Sequence, residues 1–146
     1  MTARPHVAAP ALDEIALVSG GLSLLAATIH AGLAPDHFHH AAWLGALFVL
    51  AAAAQTAWAL AALAGRGPVT AGVALNLACV AAWLLSRTAG LPGLGVEPVG
   101  VLDVLTAGVE LSLCGLLLRA RGALGSGLVF ACALVCLLAS GMAGHA

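Results

Sequence analysis

Five mainly apolar segments dominate the sequence, and each is long enough to cross a bilayer as a helix. They are residues 15–33, 41–64, 69–86, 99–118 and 123–143. A helix crosses the hydrocarbon core with about 20 apolar residues, and lipid offers no hydrogen-bond partner to irregular backbone. The pattern therefore predicts an all-α, polytopic membrane helix bundle with five transmembrane helices, formed by one domain of residues 1–146.

Charge content agrees with a membrane protein. Hydrophobic residues make up 62% of the chain and charged residues 8%, whereas soluble domains carry roughly 25% charged residues. The five basic residues are all arginine, spread along a chain of formal charge −1. No polybasic run is present, so we expect the lipid bilayer as a partner and no nucleic acid.

Short stretches rich in glycine and proline separate the apolar segments and predict turns. They lie around Pro35, at residues 65–68, at residues 92–98 and at Gly122. Segment 15–33 follows an arginine, as a secretory signal would. Its apolar run exceeds the roughly 7–15 residues of a signal peptide, so we expect it to remain as the first helix.

The arginines predict the orientation, because short cytoplasmic loops are enriched in Arg and Lys. With the N-terminus inside, Arg4, Arg66, Arg119 and Arg121 lie on the cytoplasmic side and only Arg87 lies outside. The C-terminus is then predicted to lie outside, as is the histidine-bearing turn between the first two helices.

Two carboxylates interrupt the fourth apolar segment, where buried charge is costly and is commonly functional. Asp103 has a structural explanation, since it or Glu97 could pair with Arg87. Glu110 lies about 10 Å deeper at 1.5 Å per residue, too far for Arg87 to reach as well. Glu110 is therefore either a neutral, hydrogen-bonded group or a proton- or ion-binding group.

Helical spacing places these acids on polar faces. Residues three, four or seven apart share a face, which groups Asp103, Thr106, Glu110 and Cys114 on the fourth helix and Asn76, Val80, Trp83 and Arg87 on the third. The second helix contributes Gln55. Such groups turn towards the interior of a membrane bundle, so we expect Asn76 and Gln55 to line a polar site with Glu110.

Four of the six histidines fall within residues 29–40. Imidazole binds transition metals and haem iron, which makes His30, His37 and His40 candidate metal ligands, although their spacing matches no recognised motif. The alternative is that they are solvated or hydrogen-bonded groups at the interface. In this interpretation Asp36 caps the start of the second helix.

The cysteines predict no disulfide framework, because all four fall inside apolar segments. Cys132 and Cys136 are four residues apart and suit close helix packing. A soft-metal site for Cu(I) is the alternative.

A resemblance rests on features spread over nearly the whole chain. They are the Asp36-His37-Phe38 turn with Trp43, Gln55 in the second helix, the stretch from Trp83 to Pro92, and Asp103 with Glu110. With them the chain resembles small multi-pass membrane proteins of GC-rich bacteria that carry no assigned activity. The resemblance implies a cell membrane location, the bacterial inner membrane, and implies no chemistry.

Two classes of function fit these residues. In the first, His30, His37, Asp103 and Glu110 line an outward-facing site that binds a transition-metal ion or haem, or carries protons or cations, with Arg87 fixing the carboxylates. Five helices make a small transporter, so this hypothesis implies a homo-oligomer or a partner membrane subunit. In the second, the protein is a non-catalytic accessory subunit whose polar residues specify helix packing.

An enzyme is a third alternative, with membrane redox chemistry as its form. No nucleophile elbow, phosphate loop or zinc-protease motif is present in the sequence.

Overall fold

The computed structural model describes residues 14–121 and shows four α-helices, with no strand in that range. They are α1 (Glu14–His40), α2 (Ala42–Leu63), α3 (Val69–Thr88) and α4 (Val101–Ala120). All four are long and apolar enough to cross a membrane. They indicate an all-helical membrane protein. The fifth predicted segment, which contains Cys132 and Cys136, lies outside the described residues.

Consecutive helices run antiparallel. Ser23 of α1 reaches the backbone of Gln55 in α2, and Gln55 in turn reaches Asn76 in α3. At one end of the bundle Arg87 of α3 meets Asp103 near the start of α4. We call this the Arg87 end. The opposite end, where α2 turns into α3, is the Arg66 end.

The α1–α2 boundary differs from the sequence prediction. The first helix does not end near Leu33 but continues through Pro35 to His40, and only Ala41 separates it from α2. Ala41, in extended backbone, is the N-cap of α2, so the prediction that Asp36 caps this helix is wrong. Asp36 lies inside the last turns of α1.

Two local contacts accompany the longer helix. Proline removes one backbone donor, a loss that membrane helices tolerate. Beyond it, the Nδ1 atoms of His37 and His40 lie 2.9 Å from the carbonyl oxygens of Leu33 and Asp36, respectively. Both histidines therefore bond to backbone one turn earlier in α1, over the segment that the proline signal assigned to a turn.

Glycine allows α1 and α2 to approach closely next to this link. A Cβ atom at Gly45 would lie 2.2 Å from Cγ of Phe38, which is closer than any real contact. Phe38 therefore occupies space that only glycine leaves open, and the two helices form a tight hairpin.

The interior changes character along the bundle axis. At the Arg66 end Trp58, Ala62, Leu113 and Leu117 form an apolar core. Halfway along, the buried side chains include polar ones from every helix, namely Ser23, Gln55, Asn76 and Glu110. Towards the Arg87 end the helices enclose a cavity. The polar layer thus lies between a packed core and open space.

Candidate functional site

Gln55 is at the centre of the polar layer and is fully buried. Its Nε2 donates to Oε1 of Glu110 at 2.8 Å and to Oδ1 of Asn76 at 3.2 Å. Its Oε1 lies 3.1 Å from Nδ1 of His30. One side chain of α2 therefore joins α1, α3 and α4, and the predicted polar faces do meet inside the bundle.

Backbone carbonyls fix the direction of each hydrogen bond in this network. Asn76 donates from Nδ2 to the carbonyl oxygen of Gly72 at 2.8 Å, which turns its Oδ1 towards Gln55. Gln55 must then present its amide nitrogen to Asn76, so its Oε1 faces His30. Both amide orientations follow because the Gly72 carbonyl oxygen can accept a hydrogen bond but cannot donate one.

The same reasoning assigns the tautomer of His30. Its Nδ1 lies 3.1 Å from two oxygens, the carbonyl of Ala26 and Oε1 of Gln55, and both can only accept. Nδ1 therefore carries the hydrogen, and in the neutral imidazole Nε2 carries the lone pair. Nε2 lies 3.9 Å from Oε1 of Glu110, which is 2% exposed. Two electron-rich atoms thus face each other in the interior.

Cys79 completes a three-residue group that the sequence analysis missed. Its Sγ, a ring nitrogen of His30 and a carboxylate oxygen of Glu110 all lie within 4.8 Å of one another. Cys79 is three residues after Asn76 and four before Trp83, so the spacing that defined the polar face of α3 includes it. Thiol, imidazole and carboxylate are together a ligand set for a transition-metal ion.

The other two candidate histidines lie elsewhere. The ring of His37 stacks on Phe48 with centroids 3.7 Å apart, and His40 is exposed. His37 does line the cavity, closer to the Arg87 end. The structure therefore brings together His30, Cys79 and Glu110 rather than the predicted ligand set of His30, His37 and His40.

Arg87 forms ion pairs with both carboxylates at its end of the bundle. One guanidinium nitrogen contacts Glu97, and the other donates to Oδ2 of Asp103 at 2.8 Å. The same Oδ2 accepts the backbone N–H of Gly100 at 2.7 Å. The predicted structural pairing of Arg87 is confirmed, and it joins α3, α4 and the connection between them. Asp103 and Arg87 are thereby explained without Glu110.

A cavity of about 570 Å³ connects the two polar groups. His30, Cys79 and Glu110 line its inner end, and Arg87, Glu97 and Asp103 line its outer end. Its walls are mainly the leucine and alanine side chains of α2 and α3. The structure thus places the histidine of α1 and the carboxylates of α4 on one shared cavity.

Known proteins do not identify the site. Comparison of the chain with protein-family models, with curated proteins and with solved structures finds no match. A function must therefore be inferred from the chemistry of the side chains that line the cavity.

Proposed function

We propose that this membrane protein binds an exchangeable cation between its helices. Glu110 supplies the negative charge and His30 supplies a neutral lone pair. The observation that supports this most directly is the 3.9 Å approach of His30 Nε2 to Glu110 Oε1, with the histidine hydrogen held on the other ring nitrogen.

The electrostatics of this approach favour a bound positive charge. An ionised carboxylate inside a bilayer is costly unless it is compensated. Among the described residues the arginine nearest along the cavity, Arg87, is already paired with two other carboxylates. A cation between Glu110 and His30 would bind both electron-rich atoms at once. A proton is the smallest such cation, and it is the alternative occupant.

Cys79 favours a transition-metal ion as the cation. Tetrahedral zinc takes its ligands at about 2.0–2.3 Å, which places neighbouring ligand atoms roughly 3.5 Å apart. The ligand atoms of the three side chains lie within 4.8 Å of one another, and the nearest ring nitrogen and carboxylate oxygen are 3.9 Å apart, so they would move closer on binding zinc. Three protein ligands leave a fourth position open, as in zinc sites that bind an exchangeable ligand. Here that position would face the cavity.

Metal titration of the purified protein in mild detergent tests the proposal. We expect one equivalent of Zn²⁺ to bind, and His30→Gln, Cys79→Ala and Glu110→Gln each to weaken binding by roughly tenfold or more. His40→Gln is the matched control and is expected to bind zinc as the native protein does. If zinc does not bind, and Glu110→Gln changes neither proton uptake nor expression, the proposal of a metal or proton site is wrong.

We also propose the full topology, with five transmembrane helices in the bacterial inner membrane and the Arg66 end in the cytoplasm. The arginine distribution and the resemblance to bacterial membrane proteins support this. Single cysteines placed at Val96 and at Ala64, in a background without native cysteines, test the orientation. An impermeant maleimide should label Val96→Cys from outside and Ala64→Cys only after permeabilisation. The reverse pattern would invert the topology.

An assembled form is part of this proposal. Four or five helices are few for a carrier, so a homo-oligomer or a partner membrane subunit is expected. Cross-linking in membranes, followed by mass determination, distinguishes a second copy from another protein.

A further inference from the structure

The cavity is much larger than a metal ion or a proton requires. Its volume of about 570 Å³ falls within the range of about 300–1,000 Å³ that is usual for sites of small organic molecules. Its walls between the two polar ends are apolar, with Leu44, Leu47 and Ala51 from α2 and Leu75 and Ala78 from α3. These apolar walls offer water few hydrogen-bond partners, so the chemistry of the cavity suits an apolar body.

The charges that line the cavity are mostly negative. Glu97, Asp103 and Glu110 contribute carboxylates, while Arg87 contributes the cation. Arg87 pairs with Glu97 and Asp103 at the outer end, so its charge is already compensated there. Glu110 at the inner end pairs with no arginine among the described residues; its contacts there include the neutral Gln55 amide and His30. The cavity therefore complements a positively charged ligand rather than an anion.

The hydrogen-bonding groups at the inner end specify the head of that ligand. His30 Nε2 carries a lone pair, and Glu110 offers carboxylate oxygens, so both groups accept hydrogen bonds. A protonated amine donates to both. The rings of Phe48 and Trp83 also line the cavity, and aromatic faces attract cations.

Part of the cavity wall also lies at the surface of the described bundle. Leu47 and Leu50 on α2 belong to its wall and are also 50% and 64% exposed at the surface of the described bundle. Ala78 and Ala82 on the facing side of α3 are exposed as well. Within residues 14–121 the cavity is therefore bounded by surface residues of α2 and α3, where an apolar molecule dissolved in lipid can reach it.

We propose that the cavity binds a lipophilic organic cation, with its protonated amine between Glu110 and His30 and its apolar body against α2 and α3. This inference rests on the proposed function, since it requires that the inner site holds an exchangeable positive charge. It adds the class of molecule that carries the charge.

The test compares two probes that differ only in the head group. 1-Naphthylmethylamine is a cation at neutral pH, 1-naphthylmethanol is its neutral analogue, and naphthalene fluorescence reports the binding of both. We expect the native protein to bind one equivalent of the amine about tenfold more tightly than the alcohol, the ratio that corresponds to about 1.4 kcal/mol. Glu110→Gln should abolish this preference.

Two further variants separate charge from shape. Asp36→Asn removes an exposed carboxylate that does not line the cavity, and we expect it to keep the native preference for the amine. Leu47→Trp reduces the cavity volume at a lining position about 12 Å along α2 from Gln55. It should weaken amine binding while zinc binding remains native, which also shows that the variant is folded.

The outcomes distinguish this inference from the proposed function. Equal binding of amine and alcohol to the native protein, or an amine preference that persists in Glu110→Gln, overturns the organic cation. If zinc still binds through Glu110 in that case, the proposed cation site is retained and only the organic cation is rejected. If neither zinc nor the amine binds through Glu110, both proposals fall.

Discussion

Replacement of Gln55 by methionine should destabilise the fold, because Gln55 hydrogen-bonds to side chains of α1, α3 and α4. Methionine keeps the unbranched shape and fills similar space, so the main loss is three interhelical hydrogen bonds, to His30, Asn76 and Glu110. Interhelical hydrogen bonds in membrane proteins average about 0.6 kcal/mol each. The expected loss is therefore about 2 kcal/mol in the free energy of unfolding.

Equilibrium unfolding in mixed detergent micelles measures this change. Thr28→Val is the matched control, since it removes an exposed hydroxyl that bonds only to the Leu24 carbonyl within its own helix. A polar-to-apolar change there should shift stability by less than about 0.5 kcal/mol. A Gln55→Met protein as stable as Thr28→Val would refute the conclusion that the network holds the helices together.

The same variant tests the tautomer of His30. Nitrogen-15 chemical shifts of the native protein should show hydrogen on Nδ1, because two acceptors face that atom. In Gln55→Met only the Ala26 carbonyl remains, and we expect the hydrogen to distribute over both nitrogens and cation affinity to fall. Native protein with its hydrogen on Nε2 would contradict the assignment on which the cation site is based.

Three further predictions follow from contacts elsewhere in the bundle. Arg87→Met removes the shared partner of two carboxylates, so amide exchange within residues 89–100 should accelerate while α1 is unaffected; unchanged exchange would show that the ion pairs do not hold this segment. Gly72→Ala places Cβ 2.4 Å from the nearest indole carbon and should cost about 1–3 kcal/mol in the unfolding assay, whereas Gly32→Ala, which meets nothing within 4 Å, should be neutral or stabilising. Saturating zinc should slow maleimide modification of Cys79, and equal rates with and without zinc would remove this thiol from the site.

The polar site was largely predictable from spacing, because helical periodicity is a local property. Positions three, four and seven apart placed Asn76 and Glu110 on the faces where the structure finds them, and both hydrogen-bond to Gln55 inside the bundle. Arg87 and Asp103 met for the same reason. These contacts were predictable because polar and charged side chains avoid lipid and turn towards the interior of the bundle.

The proximity of Cys79 to His30 and Glu110 and the first helix boundary were not predictable in this way. Cys79 is chemically ambiguous in a sequence, since a thiol packs as a small apolar group as readily as it binds a metal. Pro35 is an end signal in soluble helices, but membrane helices tolerate proline where neighbouring groups satisfy the freed backbone, and α1 continues to His40. The position of the His37 ring depends on its stacking with Phe48. This is a contact between two helices, which no local sequence pattern encodes.

The single residue between α1 and α2 has a mechanical consequence. Ala41 leaves almost no slack in the connection, and Phe38 fills the space that Gly45 leaves open, so the connection allows α1 and α2 little freedom to separate at this end. Residues 89–100 give α3 and α4 a much longer connection. Gln55 connects the α1–α2 hairpin to α3 and α4. A separation of this hairpin from α3 and α4 would therefore stretch the bonds of Gln55 to Asn76 and Glu110. The group that holds the helices together is thus also the one that would sense their separation.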